Sequence, residues 1–190
     1  MARFLSVLFL MIPFACWAHV THDQPTLLNG ILHPLTGWDH MLALLAIGWV
    51  ALQHSNTRNA FIIPSTFVTG LLLGALIGML GFAPSFMDSG IASSLVLLGF
   101  LVAYSASGKT VWPFALITGV FHGFAHGTET SVTTDAIPYF VGFLSCSIVF
   151  MLLGMKVHKR LMSSSALRRI RIAFSGVLMI LGTYFLIGSV

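Results

Sequence analysis

Six apolar runs, at about 32–53, 60–82, 90–107, 111–128, 136–156 and 168–189, leave this chain little choice of fold. Each is close to the ~20 residues an α-helix needs to cross ~30 Å of hydrocarbon. The breaks between them are short: 54–59, 83–89, 108–110, 129–135 and the basic stretch 156–169. Composition agrees, with 57% hydrophobic and 7% charged residues where soluble domains carry about 25% charged. The expectation is an all-α integral membrane protein, a bundle of six transmembrane helices with no room for a sizeable soluble domain.

Residues 1–18 read as a secretory signal peptide. Arg3 supplies the positive start, Phe4 to Phe14 the apolar stretch, and Cys16-Trp17-Ala18 a small-x-small cleavage site. Pro13 stands where a lipoprotein signal would place leucine. The mature transmembrane domain is then 19–190, beginning at His19. Of the two cysteines, Cys16 falls in the signal and Cys146 in a later span. No disulfide or thiolate cluster is expected in the mature chain.

The charges set an orientation. With the mature N-terminus outside, the inner loops hold Arg58, Lys109, Lys156, Lys159, Arg160, Arg168, Arg169 and Arg171. The outer segments hold Asp23, Asp88 and Asp135, with Glu129 at the outer boundary. That is a positive-inside pattern, with both mature termini on the outer side. The net charge of +4 therefore marks orientation, and no nucleic-acid partner is expected.

Small residues recur at helical spacing. Gly70, Gly74 and Gly78 repeat in the second span, and Gly119, Gly123 and Gly127 in the fourth. Such rows let helix backbones approach closely in lipid. In the fourth span they alternate with histidines, so packing and ligand placement share one helix. Pro34, Pro64, Pro113 and Pro138 are read as first-turn prolines, where a missing N–H is harmless.

Two stretches carry the chemistry: His33-Pro-Leu-Thr-Gly-Trp-Asp39-His40 and Phe121-His122-Gly-Phe-Ala-His126-Gly-Thr-Glu129. An ionisable group at mid-bilayer costs about 2.5–3.5 kcal/mol even on the mildest scale. A chain with 5 acidic residues that places two of them here, beside histidines, is expected to bind a cation. His122, His126 and Glu129 project from one helix face, and His33 and His40, seven apart, are expected to share a face of the first span. Asp39 is placed to ligate or to orient the His40 imidazole. His54 and His158 are read as solvated loop residues. His19 and His22 are placed to capture metal at the mature N-terminus.

Depth brings the two stretches together. The first span enters from outside, and Asp39 and His40 lie about 10 Å below His33 at about 1.5 Å per residue. The fourth span exits, so Glu129 is near the outer surface with His122 about 10 Å deeper. If the helices touch, Asp39 and His40 meet His122 and His126, and His33 meets Glu129. Imidazole and carboxylate without thiolate suit Ni²⁺, Co²⁺ or Zn²⁺, and disfavour Cu(I), Mg²⁺ and Ca²⁺. Met41 and Met79 are read as packing residues.

The two motifs resemble the signatures of the HupE/UreJ family of bacterial nickel permeases, and the resemblance extends over signal peptide, six spans and overall length. It implies a secondary transporter of nickel or cobalt in the inner membrane, with His33, Asp39, His40, His122, His126 and Glu129 as functional residues. It implies no prosthetic group, the metal being cargo. A homo-oligomer is left open.

Other classes fit less well. A haem-binding membrane cytochrome would use facing histidines as axial ligands, but not Asp39 and Glu129. A serine hydrolase is disfavoured because Ser105-Ala-Ser-Gly108 lacks the leading glycine of Gly-x-Ser-Gly. A zinc-dependent intramembrane hydrolase stays open, since a catalytic zinc also takes three protein ligands and one open position, although His-Glu-x-x-His is absent. No phosphate-binding loop is present to use a nucleotide. The chain is not expected to be an enzyme.

Overall fold

A computed structural model describes residues 26–53, 60–82, 84–104, 108–130 and 136–189. The signal-peptide reading, His19, His22, Asp23, His54, Arg58 and Asp135 lie outside the described residues. Those described form seven helices and no strand: α1 (Leu27–Thr36), α2 (Trp38–Gln53), α3 (Ile62–Met79), α4 (Met87–Tyr104), α5 (Gly108–Glu129), α6 (Ala136–Leu161) and α7 (Leu167–Gly188).

Four of these, α3, α4, α6 and α7, are each long and apolar enough to cross a membrane, and α1 with α2 makes a fifth as a pair bent by 82°. The protein is thus a multi-pass, all-helical membrane protein. At 22 residues α5 is as long as α7, but Lys109, His122, His126 and Glu129 dilute its apolarity. Large apolar side chains such as Leu72, Leu76, Leu153 and Ile180 point outward, as they must in lipid. Trp38, Trp112, Tyr104 and Tyr184 are exposed near helix ends, where amphipathic rings favour the interface.

The first predicted span is corrected. The sequence reading has one helix over 32–53; the chain instead starts a helix at Leu27, breaks it after Thr36 and starts another at Trp38. Thr26 caps α1, its hydroxyl accepting from the Asn29 N–H at 3.2 Å. Pro34 lies inside α1 rather than at its start. The break has a local cause. Gly37 is extended (φ −85°, ψ 104°), its N–H closing the last turn onto the His33 carbonyl at 3.1 Å, and the Thr36 hydroxyl is in range of the Leu32 and His33 carbonyls at 3.1 and 3.2 Å, a back-bond of the kind that bends helices. Smaller adjustments extend α6 to Leu161 and start α5 at Gly108, so the predicted break at 108–110 is helical throughout and that at 156–169 is partly helical.

The helices associate in three pairs: α1 and α2 with α6, α3 with α5, and α4 with α7. Glycine sets the close approach in each. A Cβ on Gly74 would collide with the Val120 carbonyl, and one on Gly123 with the Leu71 carbonyl. The two glycine rows read in the sequence are therefore the two sides of one α3–α5 seam. Gly48 and Gly154 do the same between α2 and α6. At the end of α3, Gly81 adopts φ 90°, a left-handed conformation that closes the helix through Gly81 N to Gly78 O and Phe82 N to Ile77 O.

Exchanging the first three rods (α1–α2, α3, α4) with the last three (α5, α6, α7) maps this pairing onto itself. That is the pattern of two related halves. The histidines do not follow it: His40 opens α2, whereas His122 and His126 lie towards the end of α5. The central element is α2, whose Ala43, Ala46, Ile47, Val50 and Ala51 are fully enclosed.

Candidate metal centre

Four histidines converge where α1, α2 and α5 meet. His33, His40, His122 and His126 are all buried, His126 completely. The His40 ring lies 5.0 Å from His122 and 4.8 Å from His126, and the His33 ring 4.5 Å from His126 and 5.2 Å from His40. One nitrogen from each of His33, His40 and His126 falls within 4.8 Å of the other two. Nitrogens sharing an ion at about 2.1 Å stand no more than about 4.2 Å apart, so a small inward turn of the rings closes the set.

The bend at Gly37 produces this meeting. His33 and His40 do not share a face of one straight helix, as their spacing suggests; the 82° turn between them folds α1 back so that the two rings meet edge to face. Gly37 also makes room for the pair beyond it. A Cβ there would stand 3.1 Å from both Asp39 Oδ1 and His40 Nδ1.

Hydrogen bonding defines how the rings are held. His40 Nδ1 lies 2.8 Å from Asp39 Oδ1; the carboxylate accepts, so Nδ1 donates. Of the two roles left open for Asp39, this contact is the orienting one. His40 Nε2 and both ring nitrogens of His126 are buried with no hydrogen-bond partner. Leaving a buried polar group unsatisfied costs about 1–3 kcal/mol, so the unpaired Nε2 of His40 together with one unpaired nitrogen of His126, grouped with a nitrogen of His33, fits a site built for a cation. Glu129 is exposed, with Oε2 at 3.9 Å from His126 Nδ1, at the edge of the cluster rather than within it.

Other elements wall the site. Phe143 and Tyr139 of α6 stand 6.0 and 6.3 Å from the His33 ring, and Phe143 packs 4.2 Å from His126. From α4, Ser94 places its hydroxyl 3.2 Å from His122 Nε2. A cleft of about 350 Å³ between α4 and α5 has Ser94 in its lining. Sequence reading missed Ser94, Tyr139 and Phe143; a serine or an aromatic in an apolar span carries no signal of its own.

His158 is a second correction. It belongs to α6, is 5% exposed, and packs its ring 4.9 Å from Trp49. It is an interior residue at the basic end of the bundle, not a solvated one in a loop, because α6 runs a further turn than its apolar stretch suggests.

Comparison with known proteins agrees with the motifs. Residues 7–185 match the family described as HupE / UreJ protein. The chain is 33% identical over 148 residues to the protein named Protein HupE from Rhizobium leguminosarum bv. viciae, covering 76% of each sequence. No solved structure matches.

Proposed function

The chain belongs to the HupE/UreJ family, and on that premise we propose that it is a secondary transporter carrying Ni²⁺ or Co²⁺ across the bacterial inner membrane into the cytoplasm. The family generally serves nickel and cobalt transport and is not a known enzyme family, so the chain is a membrane metal transporter with a metal ion as substrate. The finer reading assigns the ion to an intramembrane site of His33, Asp39, His40, His122, His126 and Glu129.

The observation that carries it is the group of buried imidazole nitrogens left without hydrogen bonds at His40 and His126, within reach of His33. Neutral imidazole is a good ligand for Ni²⁺, Co²⁺ and Zn²⁺. In this reading residues 1–18 are a signal peptide, 19–190 form the transporter domain, α5 is the sixth span and both mature termini are periplasmic. The basic residues on either side of the α6–α7 turn then lie in the cytoplasm. Cations arrive from the acidic outer side, with His19 and His22 assisting capture, and pass the exposed Glu129. Asp39 holds His40 so that Nε2 faces the ion. Protons compete with metal for imidazole, which favours capture over protonation in neutral surroundings.

The test is accumulation of nickel, cobalt and zinc by cells expressing the chain or its His40→Ala and His126→Ala variants. Loss of nickel and cobalt uptake, with the variants still in the membrane, is expected. Normal accumulation in either variant contradicts the proposal.

A further inference from the structure

Ser94 lies on α4, outside both motifs, yet its hydroxyl touches the histidine cluster. It is 5% exposed. Its Oγ donates to the Ile91 carbonyl at 2.7 Å and lies 3.2 Å from His122 Nε2. A serine hydroxyl has one proton. The shorter contact has the length of an O–H···O bond, and the longer one falls at the upper end of the N–H···O range. With its proton committed to Ile91, the Ser94 oxygen can only accept from His122. Nε2 of His122 therefore carries the hydrogen, and in a neutral imidazole Nδ1 then carries the lone pair.

We infer that Ser94 is a positioning residue that fixes His122 in the Nε2–H tautomer, so that its Nδ1 ligates a divalent cation beside His40. The inference rests on the metal-site reading above. It gives neighbouring rings complementary settings. Asp39 takes the Nδ1 hydrogen of His40 and leaves Nε2 to the ion, while Ser94 takes the Nε2 hydrogen of His122 and leaves Nδ1. The two rings, 5.0 Å apart and nearly perpendicular, are thus held by partners from different helices. Without the Ser94 oxygen, His122 is free to populate the other tautomer, which offers a hydrogen where the ion needs a lone pair.

The test is calorimetric titration of Ni²⁺ into purified full-length protein. Ser94→Ala is expected to weaken Ni²⁺ binding by about 10-fold or more, the range seen when an outer-shell partner of a ligand histidine is removed. Ser94→Thr and Ser94→Val share one shape and differ in the hydroxyl, so the pair controls for packing: Thr is expected to keep affinity and Val to lose it. In a His122→Ala background, Ser94→Ala is expected to add no further loss, a result that a merely structural serine would not give. Equal affinity of the Thr and Val variants, or an undiminished Ser94→Ala effect in the His122→Ala background, overturns the inference. Failure of the wild-type protein to bind Ni²⁺ or Co²⁺ overturns the metal-site reading itself and is distinguishable from both.

Discussion

Asp39 and His40 are neighbours in sequence and partners in space: the 2.8 Å bond from His40 Nδ1 to Asp39 Oδ1 leaves His40 Nε2 as a buried nitrogen with no partner. Adjacent residues on a helix ordinarily point about 100° apart. Here the break at Gly37 puts both at the start of α2, where their side chains fold over a residue without a Cβ. The predicted consequence is that Asp39→Ala weakens Ni²⁺ affinity by about 10–100-fold without removing a ligand. Asp39→Asn, which keeps an acceptor oxygen but not the charge, falls between the two. Titration of the purified variants reads this directly.

His126 has a cost that its function explains. Both ring nitrogens are buried without hydrogen bonds, and the ring packs against Phe143. Replacing a buried unsatisfied polar group by an apolar one of similar size is near neutral or stabilising. His126→Leu is therefore expected to unfold at or above the wild-type temperature when metal-free, and to lose the stabilisation that metal gives the wild type. That stabilisation is about 2.7 kcal/mol at a free ion concentration 100-fold above Kd. Thermal unfolding with and without Ni²⁺ checks both halves.

The α3–α5 seam sets the depth at which His122 and His126 are presented. A Cβ on Gly74 meets the Val120 backbone, whereas one on Gly176 of α7 meets nothing within 4 Å. Gly74→Ala is expected to destabilise by about 1–3 kcal/mol, as overpacking does. Gly176→Ala is expected to be neutral or mildly stabilising, since alanine is the better helix former. Unfolding temperatures of the two purified variants in the same detergent make the comparison.

Gly37 separates stability from site geometry. Its backbone is accessible to any residue, but an added Cβ stands 3.1 Å from Asp39 Oδ1 and His40 Nδ1 and must displace that pair. Gly37→Ala is expected to lower Ni²⁺ affinity severalfold while the protein still accumulates in the membrane. Equal affinity of this variant and the wild type contradicts the role given to the bend.

That the two motifs meet is legible in the sequence, from their residue spacing on two separate apolar runs. His40 was expected beside His122 and His126, and it lies there. The route taken by His33 was not legible. A seven-residue spacing suggests one helical face, and nothing in an apolar run containing Pro34 and Gly37 says whether the chain kinks, breaks or continues; the extended Gly37 and the Thr36 hydroxyl decide it. His33 consequently reaches the His126 ring. Ser94 and Phe143 were invisible for another reason: their roles come from which helices pair, and glycine rows report close packing without naming the partner. The interior place of His158 is not legible either, because charged residues extend α6 past its apolar stretch.

X-ray absorption at the nickel edge of the loaded, purified protein tests the central claim most directly. The account predicts a first shell dominated by imidazole nitrogen, with the multiple-scattering signature of at least three histidine rings, reduced by one ring in His126→Ala. A shell of oxygen atoms only, or an unchanged spectrum in the His126→Ala protein, contradicts it.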